Sequence, residues 1–199
     1  MIAATVLAAG ESRRMGFPKA LLRYRDRTFL GTILDGIAAL GLKPLVVVGQ
    51  GATKLHAERD LHCDTVLVNE QPDAGPIGSI RVSIRAVLNH PVEALVVWPV
   101  DLPHVSLTTV RNLIDGFRST EFPIVVPQYE GRRGHPVLFA RAVFQELLEA
   151  PDSEGAKAVV RADASRILHV PVSDPAVVDS LNTPEAYVNL LRWRDRAGA

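Results

Sequence analysis

Two uninterrupted apolar runs constrain this chain most. Leu45-Val46-Val47-Val48 and Ala94-Leu95-Val96-Val97-Trp98 place no polar side chain at either alternating position. A strand of that kind is covered on both faces, the signature of a parallel sheet clothed by helices. The surrounding sequence supplies the clothing. Leu30, Ile33, Leu34, Ile37 and Leu40 recur at helical spacing over 29–40, with Thr28 as N-cap and Gly41 as stop. Further strands are expected over 2–7, 65–68 and 167–170, and further helices over 80–88, 108–117, 140–149 and 154–161. A weaker helix is expected over 52–60, and Pro184 opens a terminal helix at its first position. Strand–helix alternation predicts an α/β, doubly wound, mostly parallel sheet. Two short strands, 124–126 and 137–139, flank a turn carrying Gly131 and Gly134. They break the rhythm and predict a mixed sheet with a late antiparallel element.

The 199 residues fit one domain, and no repeat or linker divides them. Lys plus Arg and Asp plus Glu both number 22, so the net charge is zero. That balance excludes a generic nucleic-acid binder. A single cysteine, Cys63, excludes an intramolecular disulfide framework and fits a reducing compartment. No apolar run approaches a membrane span and no leader is evident, so a cytoplasmic protein without a membrane partner is expected. The neutrality hides a local excess: residues 11–30 carry six basic side chains against two acidic ones.

Ligands of open α/β sheets bind beyond the carboxyl ends of the strands, and four loops there carry chemistry. The first, residues 7–19, runs Leu-Ala-Ala-Gly-Glu-Ser-Arg-Arg-Met-Gly-Phe-Pro-Lys. Small residues let the backbone approach a ligand, and Arg14 and Lys19 suit a polyphosphate. The glycine spacing and the Phe17-Pro18 pair exclude a Walker A loop. In the second, Asp101 follows the strand ending at Trp98, where a carboxylate can serve Mg²⁺, which favours few carboxylates plus phosphate oxygens. Ser106 is the better cap for the next helix, which leaves Asp101 free. The third loop, 69–79, ends in Gly78 and Ser79 at a helix start and suits a base or ribose, or is an ordinary connection. The fourth, Gly131-Arg132-Arg133-Gly134-His135-Pro136, reads by itself as a hairpin tip.

Other patterns carry less. Gly49-Gln50-Gly51 lacks the third glycine of a dinucleotide fingerprint, having Lys54 there. His56, His62 and Cys63 lack zinc spacing. Trp98 is expected in the core, and no nucleophile elbow is present.

Residues 7–19, with Leu-Ala-Ala-Gly-x-Ser-x-Arg-Met-Gly-x-Pro-Lys, resemble the signature loop of the MobA-like nucleotidyltransferases. Asp101 sits where that family has a metal-binding aspartate. Residues 131–139 and 155–161 resemble stretches of the molybdenum cofactor cytidylyltransferase branch, and Asn182-Thr183-Pro184-Glu185 resembles the family's C-terminal motif. The resemblance implies a Rossmann-like three-layer α/β/α fold and Mg²⁺-dependent nucleotidyl transfer. It implies a nucleotide bound by Leu7, Ala8, Ala9, Gly10, Gly78 and Ser79, with Arg14 and Lys19 on the triphosphate. It further implies Arg14, Lys19 and Asp101 as catalytic residues, Asp101 and Asn182 as metal ligands, and His135 toward the acceptor. The implied partners are an NTP (CTP or GTP) and a phosphorylated acceptor such as molybdopterin, with a molybdoenzyme or chaperone receiving the product.

Two departures stand out. Ser180 and Asn182 replace aspartates of the cytidylyl branch, and Gly75-Pro76-Ile77-Gly78 is closer to the guanylyl branch. Cytidylyl transfer to molybdopterin is the leading expectation. Guanylyl transfer, a sugar-phosphate acceptor, an inactive nucleotide-binding module and a dinucleotide binder using 49–54 stand beside it.

Overall fold

The computed structural model describes residues 1–10, 12–50, 63 and 65–197, with side chains to residue 192. The expected helix over 52–60, with His56 and His62, lies outside them.

The two apolar runs form the middle of the sheet. Strand β1 (Ile2–Ala8) pairs in parallel with β4 (Lys43–Gly49) on one side and β6 (Ala94–Pro99) on the other, with Val6 opposite Val46 and Trp98. Between them in sequence lie a small hairpin, β2 (Arg23–Tyr24) and β3 (Arg27–Thr28), and the outer strand β5 (Val66–Asn69). Beyond β6 follow β7 (Ile124–Tyr129), β8 (Arg132–Arg133), β9 (Val137–Ala140) and β10 (Ile167–Pro171). The sheet runs β10-β7-β9-β6-β1-β4-β5, with β8 paired to β7. Strand β9 is antiparallel to both its neighbours, and β8 completes a hairpin. This is the late antiparallel element in an otherwise parallel sheet.

Alternation along β1 sorts the core. Ile2, Ala4, Val6 and Ala8 face α1 (Phe29–Ala39), α3 (Leu107–Ser119) and α6 (Pro184–Ala197). Ala3 and Leu7 face α2 (Pro76–Val87), α4 (Phe144–Glu149) and α5 (Ala156–Ala162). Three α/β/α layers result. Thr5 on the α2 side is fully buried and shares a 2.7 Å hydrogen bond with Ser83, so its hydroxyl is satisfied inside the core. Thr28 caps α1 by accepting from Gly31 N at 3.0 Å. Thr28→Ala should lower stability by about 1 kcal/mol, read as a denaturant-midpoint shift at unchanged slope.

Several boundaries differ from expectation. Helix α2 starts at Pro76, not near Ile80: Gly75 has φ 66°, a turn conformation open to glycine, and Pro76 takes the first helical position. Gly78 and Ser79 therefore lie inside the first turn of α2 rather than in the loop before it. The turn of the β7–β8 hairpin is Glu130-Gly131, with φ 47° and 77°; Gly134 stands after β8. The helix expected over 140–149 is a 3₁₀ turn (Arg141–Val143) followed by α4. The β2–β3 hairpin had no expected counterpart. No described helix is long and apolar enough to cross a membrane.

Candidate functional site

The chain leaves β1 for β4 on one side and later returns on the other as β6. The carboxyl ends of β1 and β6 thus flank a topological switch point, where a crevice opens. A cavity of about 1030 Å³ fills it. Its first half is lined by Leu7, Ala8, Ala9, Gly10, Ser12 and Lys19, with Pro76, Ile77 and Ser79 of α2. The N-terminal end of a 12-residue helix meets this half, where its free amides favour an anion. A smaller adjoining space of about 360 Å³ is lined by Gly10, Arg13, Arg14, Lys19, Asp73 and Asn182.

The turn after β6 has local causes. Trp98 is 1% exposed, and its indole N–H donates 3.0 Å to Leu102 O. Leu102 N returns to Pro99 O, and Val100 N reaches Leu7 O at 3.2 Å. Asp101 is thereby held between the ends of β6 and β1. Ser106 caps α3, accepting from Thr108 N, which leaves Asp101 free of capping. The Asp101 carboxylate instead accepts from Lys19 Nζ at 2.9 Å. The same ammonium donates to Asn182 Oδ1, and the Asn182 amide N–H donates to Ser180 Oγ. Lys19 and Asp101 are 15% and 18% exposed, so water screens the pair only in part. Asp101 and Asn182 thus converge on one positive charge. A carboxylate and an amide oxygen, with no soft ligand, form a donor set suited to a hard divalent cation. Among the described residues no three His, Cys, Asp or Glu side chains cluster for a metal. Such a cation would therefore draw its remaining ligands from water and phosphate.

Ser12, Asn69 and Gly49 position this half without having been singled out for it. Ser12 Oγ accepts from Lys19 N at 3.1 Å and folds the loop back on itself. Asn69 donates to Ser79 Oγ at 3.1 Å and accepts from Gln71 N, tying the 69–75 loop to α2. Gly78 is buried beneath that tie and does not line the cavity: a Cβ there would meet Asn69 Nδ2 at 3.0 Å. Gly49 has a packing role: a Cβ would stand 3.0 Å from Ala9 O, so its absence gives the first loop its path.

The second half of the cavity is lined by Arg133, His135, Lys157 and Arg161, over an apolar floor of Val126, Val137 and Phe139. His135 N donates 2.8 Å to Val177 O, which pins the fourth loop on the segment Pro175–Val178. This loop is a cavity wall as well as a hairpin end. His135 lines the cavity and is exposed to its space, while the surrounding wall limits hydration of the ring. Desolvation there lowers its pKa, with Asp101 opposing and Lys157 adding to the shift. His169, on β10, is lowered too, by desolvation and then Arg133. A histidine with a lowered pKa binds fewer protons folded than unfolded, so stability falls as pH drops through the folded-state value. The melting temperature should therefore decline as pH is lowered from about 7.5 to about 5.5, around the ordinary histidine value. His135→Gln should make that decline shallower. An unchanged slope would count against His135 as a contributor.

The MobA-like NTP transferase domain family matches residues 4–167. A nicotine blue oxidoreductase of Paenarthrobacter nicotinovorans is 28% identical, covering 96% of each chain. A probable molybdenum cofactor guanylyltransferase of Mycobacterium ulcerans is 28% identical over 92% of this chain and 89% of its own. The crystal structure of Rv0371c from Mycobacterium tuberculosis H37Rv is 33% identical, with TM-score 0.85 over 96% of this chain and 98% of that one. Its complex with manganese is 34% identical with TM-score 0.73, over the same shares of each chain. A match over most of the chain, the Rossmann-like three-layer fold and the crevice at the switch point agree: this chain belongs to the MobA-like NTP transferase family and is a nucleotidyltransferase.

Proposed function

We propose that the whole chain acts as one domain that transfers GMP from GTP to a phosphorylated acceptor, molybdopterin, and releases pyrophosphate. The convergence of Lys19, Asp101 and Asn182 at the mouth of a two-part cavity carries this reading. The cytidylyl reading yields to the guanylyl one because the molybdenum cofactor relative above, and others similar to this chain, are named probable guanylyltransferases. The Gly75-Pro76-Ile77-Gly78 stretch points the same way.

Each half of the cavity has its task. The loop at Leu7, Ala8, Ala9 and Gly10 takes the nucleotide at close backbone range. Ser79 faces the same space, while Gly78 acts by letting Asn69 close on the helix. Arg14 and Lys19 bind the triphosphate and offset charge that develops on leaving pyrophosphate. Arg133, His135, Lys157 and Arg161 face the acceptor, whose phosphate oxygen attacks the α-phosphorus in line. That oxygen is already anionic near neutral pH, so positioning and charge stabilisation suffice. Asp101 and Asn182 would hold Mg²⁺, which when bound supplies charge neutralisation on the phosphates.

Thermal shifts with GTP, CTP, ATP, UTP and NADH, with and without Mg²⁺, test the reading, followed by pyrophosphate release with molybdopterin. GTP with Mg²⁺ should stabilise most, and release should require the acceptor. Stabilisation by NADH alone would favour chemistry of the kind named for the nicotine blue relative and sink the proposal. Nucleotide binding without release would point to an inactive module, and release with a sugar phosphate instead would move the acceptor.

A further inference from the structure

Lys19 is asked to serve two partners. Its ammonium lies 2.9 Å from Asp101 Oδ2 and donates also to Asn182 Oδ1. The proposed function gives those two oxygens to a divalent cation and gives Lys19 to the triphosphate. Both assignments cannot hold while the observed contact holds. A divalent cation on the same oxygens would stand within a few ångströms of the ammonium in a poorly screened setting, where like charges repel strongly. Lys19 has somewhere else to go. It also borders the smaller space beside Gly10 and Arg14, on a long side chain at the end of a loop.

We propose that Lys19 is the resident counter-cation of the Asp101–Asn182 pair, which a divalent cation must displace, and that the triphosphate receives the displaced ammonium. The inference rests on reading Asp101 and Asn182 as metal ligands, and deepens it into an order of assembly. Without nucleotide, the metal competes with an ammonium tied to the chain. Without metal, the triphosphate must draw Lys19 away from Asp101. Together, each ligand removes the other's obstacle. Metal and nucleotide therefore bind with positive coupling, and the coupling is the same in both directions.

Arg14 is the control for charge alone. It borders the same small space but has no hydrogen bond to Asp101. Removing either side chain deletes one positive charge, but only Lys19 occupies the oxygens.

The experiment titrates the full chain with Mn²⁺ in the absence of nucleotide, following free Mn²⁺ by electron paramagnetic resonance. Lys19→Met and Lys19→Gln are compared with wild type, folding being confirmed by circular dichroism; the glutamine keeps a polar partner for Asp101. Both should bind Mn²⁺ about tenfold more tightly than wild type, the worth of one charge-assisted hydrogen bond. Arg14→Met should stay within about twofold, as expected for a screened charge that does not touch the site. Lys19 variants that bind no tighter, or an Arg14→Met gain of equal size, would overturn the proposal. Asp101→Asn in the Lys19→Gln background should abolish the tight site. Survival of that site would overturn the metal assignment itself, and the proposal with it. Loss of the site there, without any gain from Lys19→Gln alone, would overturn the displacement and leave the assignment standing.

Discussion

Asp101→Ala should lower kcat/KM by about 10²–10³ or more, the usual loss when one preorganised charge contact at a reacting phosphate is removed. The fold should survive it. Asp101 sits in a turn whose geometry is fixed by the Trp98 indole, Leu102 and the end of β1, none of which uses the carboxylate. What the carboxylate does use is Lys19, and Lys19 keeps Asn182 as a partner. A near-wild-type melting temperature should thus accompany near-loss of turnover. Asp101→Asn separates shape from charge: it keeps an oxygen in place and removes the negative charge, and it should lose most of the activity as well. Wild-type turnover in either variant would remove Asp101 from the reaction.

Gly134→Ala should produce the largest loss of stability near the site. An added Cβ would stand 2.3 Å from Val177 O and 2.7 Å from the Val177 backbone carbon. These are backbone atoms, so rotamer changes cannot relieve the clash. Either the 131–136 loop or the Pro175–Val178 segment must move. The bonds Gly134 N to Pro127 O at 2.9 Å and His135 N to Val177 O at 2.8 Å would be stretched. Overpacking together with weakened hydrogen bonds should cost about 3 kcal/mol, seen in a chemical denaturation midpoint. Because His135 rides on this loop, KM for the acceptor should rise more than KM for the nucleotide. Wild-type stability with an unchanged acceptor KM would show that the loop's position is not set by Gly134.

The strands were legible because burial on both faces leaves a mark that does not depend on tertiary detail: an unbroken apolar run such as Ala94–Trp98. Caps with one local partner, Thr28 and Ser106, were legible for the same reason. The start of α2 was not, because a Gly-Pro pair serves equally as loop punctuation and as the N-cap and first residue of a helix. The β2–β3 hairpin has strands of two residues, too short to show any period. Within the site, Lys19 and Asp101 each stand out in their own loops. Their contact spans 82 residues of chain, and that of Lys19 with Asn182 spans 163. Only the strand order brings them together. Lys157 and Arg161 lay in a stretch that carried the family resemblance but offered no local reason for a role. Their place on the cavity wall comes from α5, which packs against α4 at the edge of the cavity.

The reversed strand β9 also bears on how the molecule is made. Strands β1, β4, β5 and β6 are complete by residue 99, whereas β7 is synthesised before the strand that must lie between it and β6. Until Val137–Ala140 emerges from the ribosome, β6 has an unpaired edge. The nucleotide side can condense early from segments close in sequence, while the wall bearing His135 and Lys157 joins only when β9 inserts. Late insertion into a waiting edge is slow relative to local helix formation, and an uncovered apolar strand is prone to pair with another chain. A nascent chain halted between residues 100 and 136 should therefore be the form most dependent on chaperones.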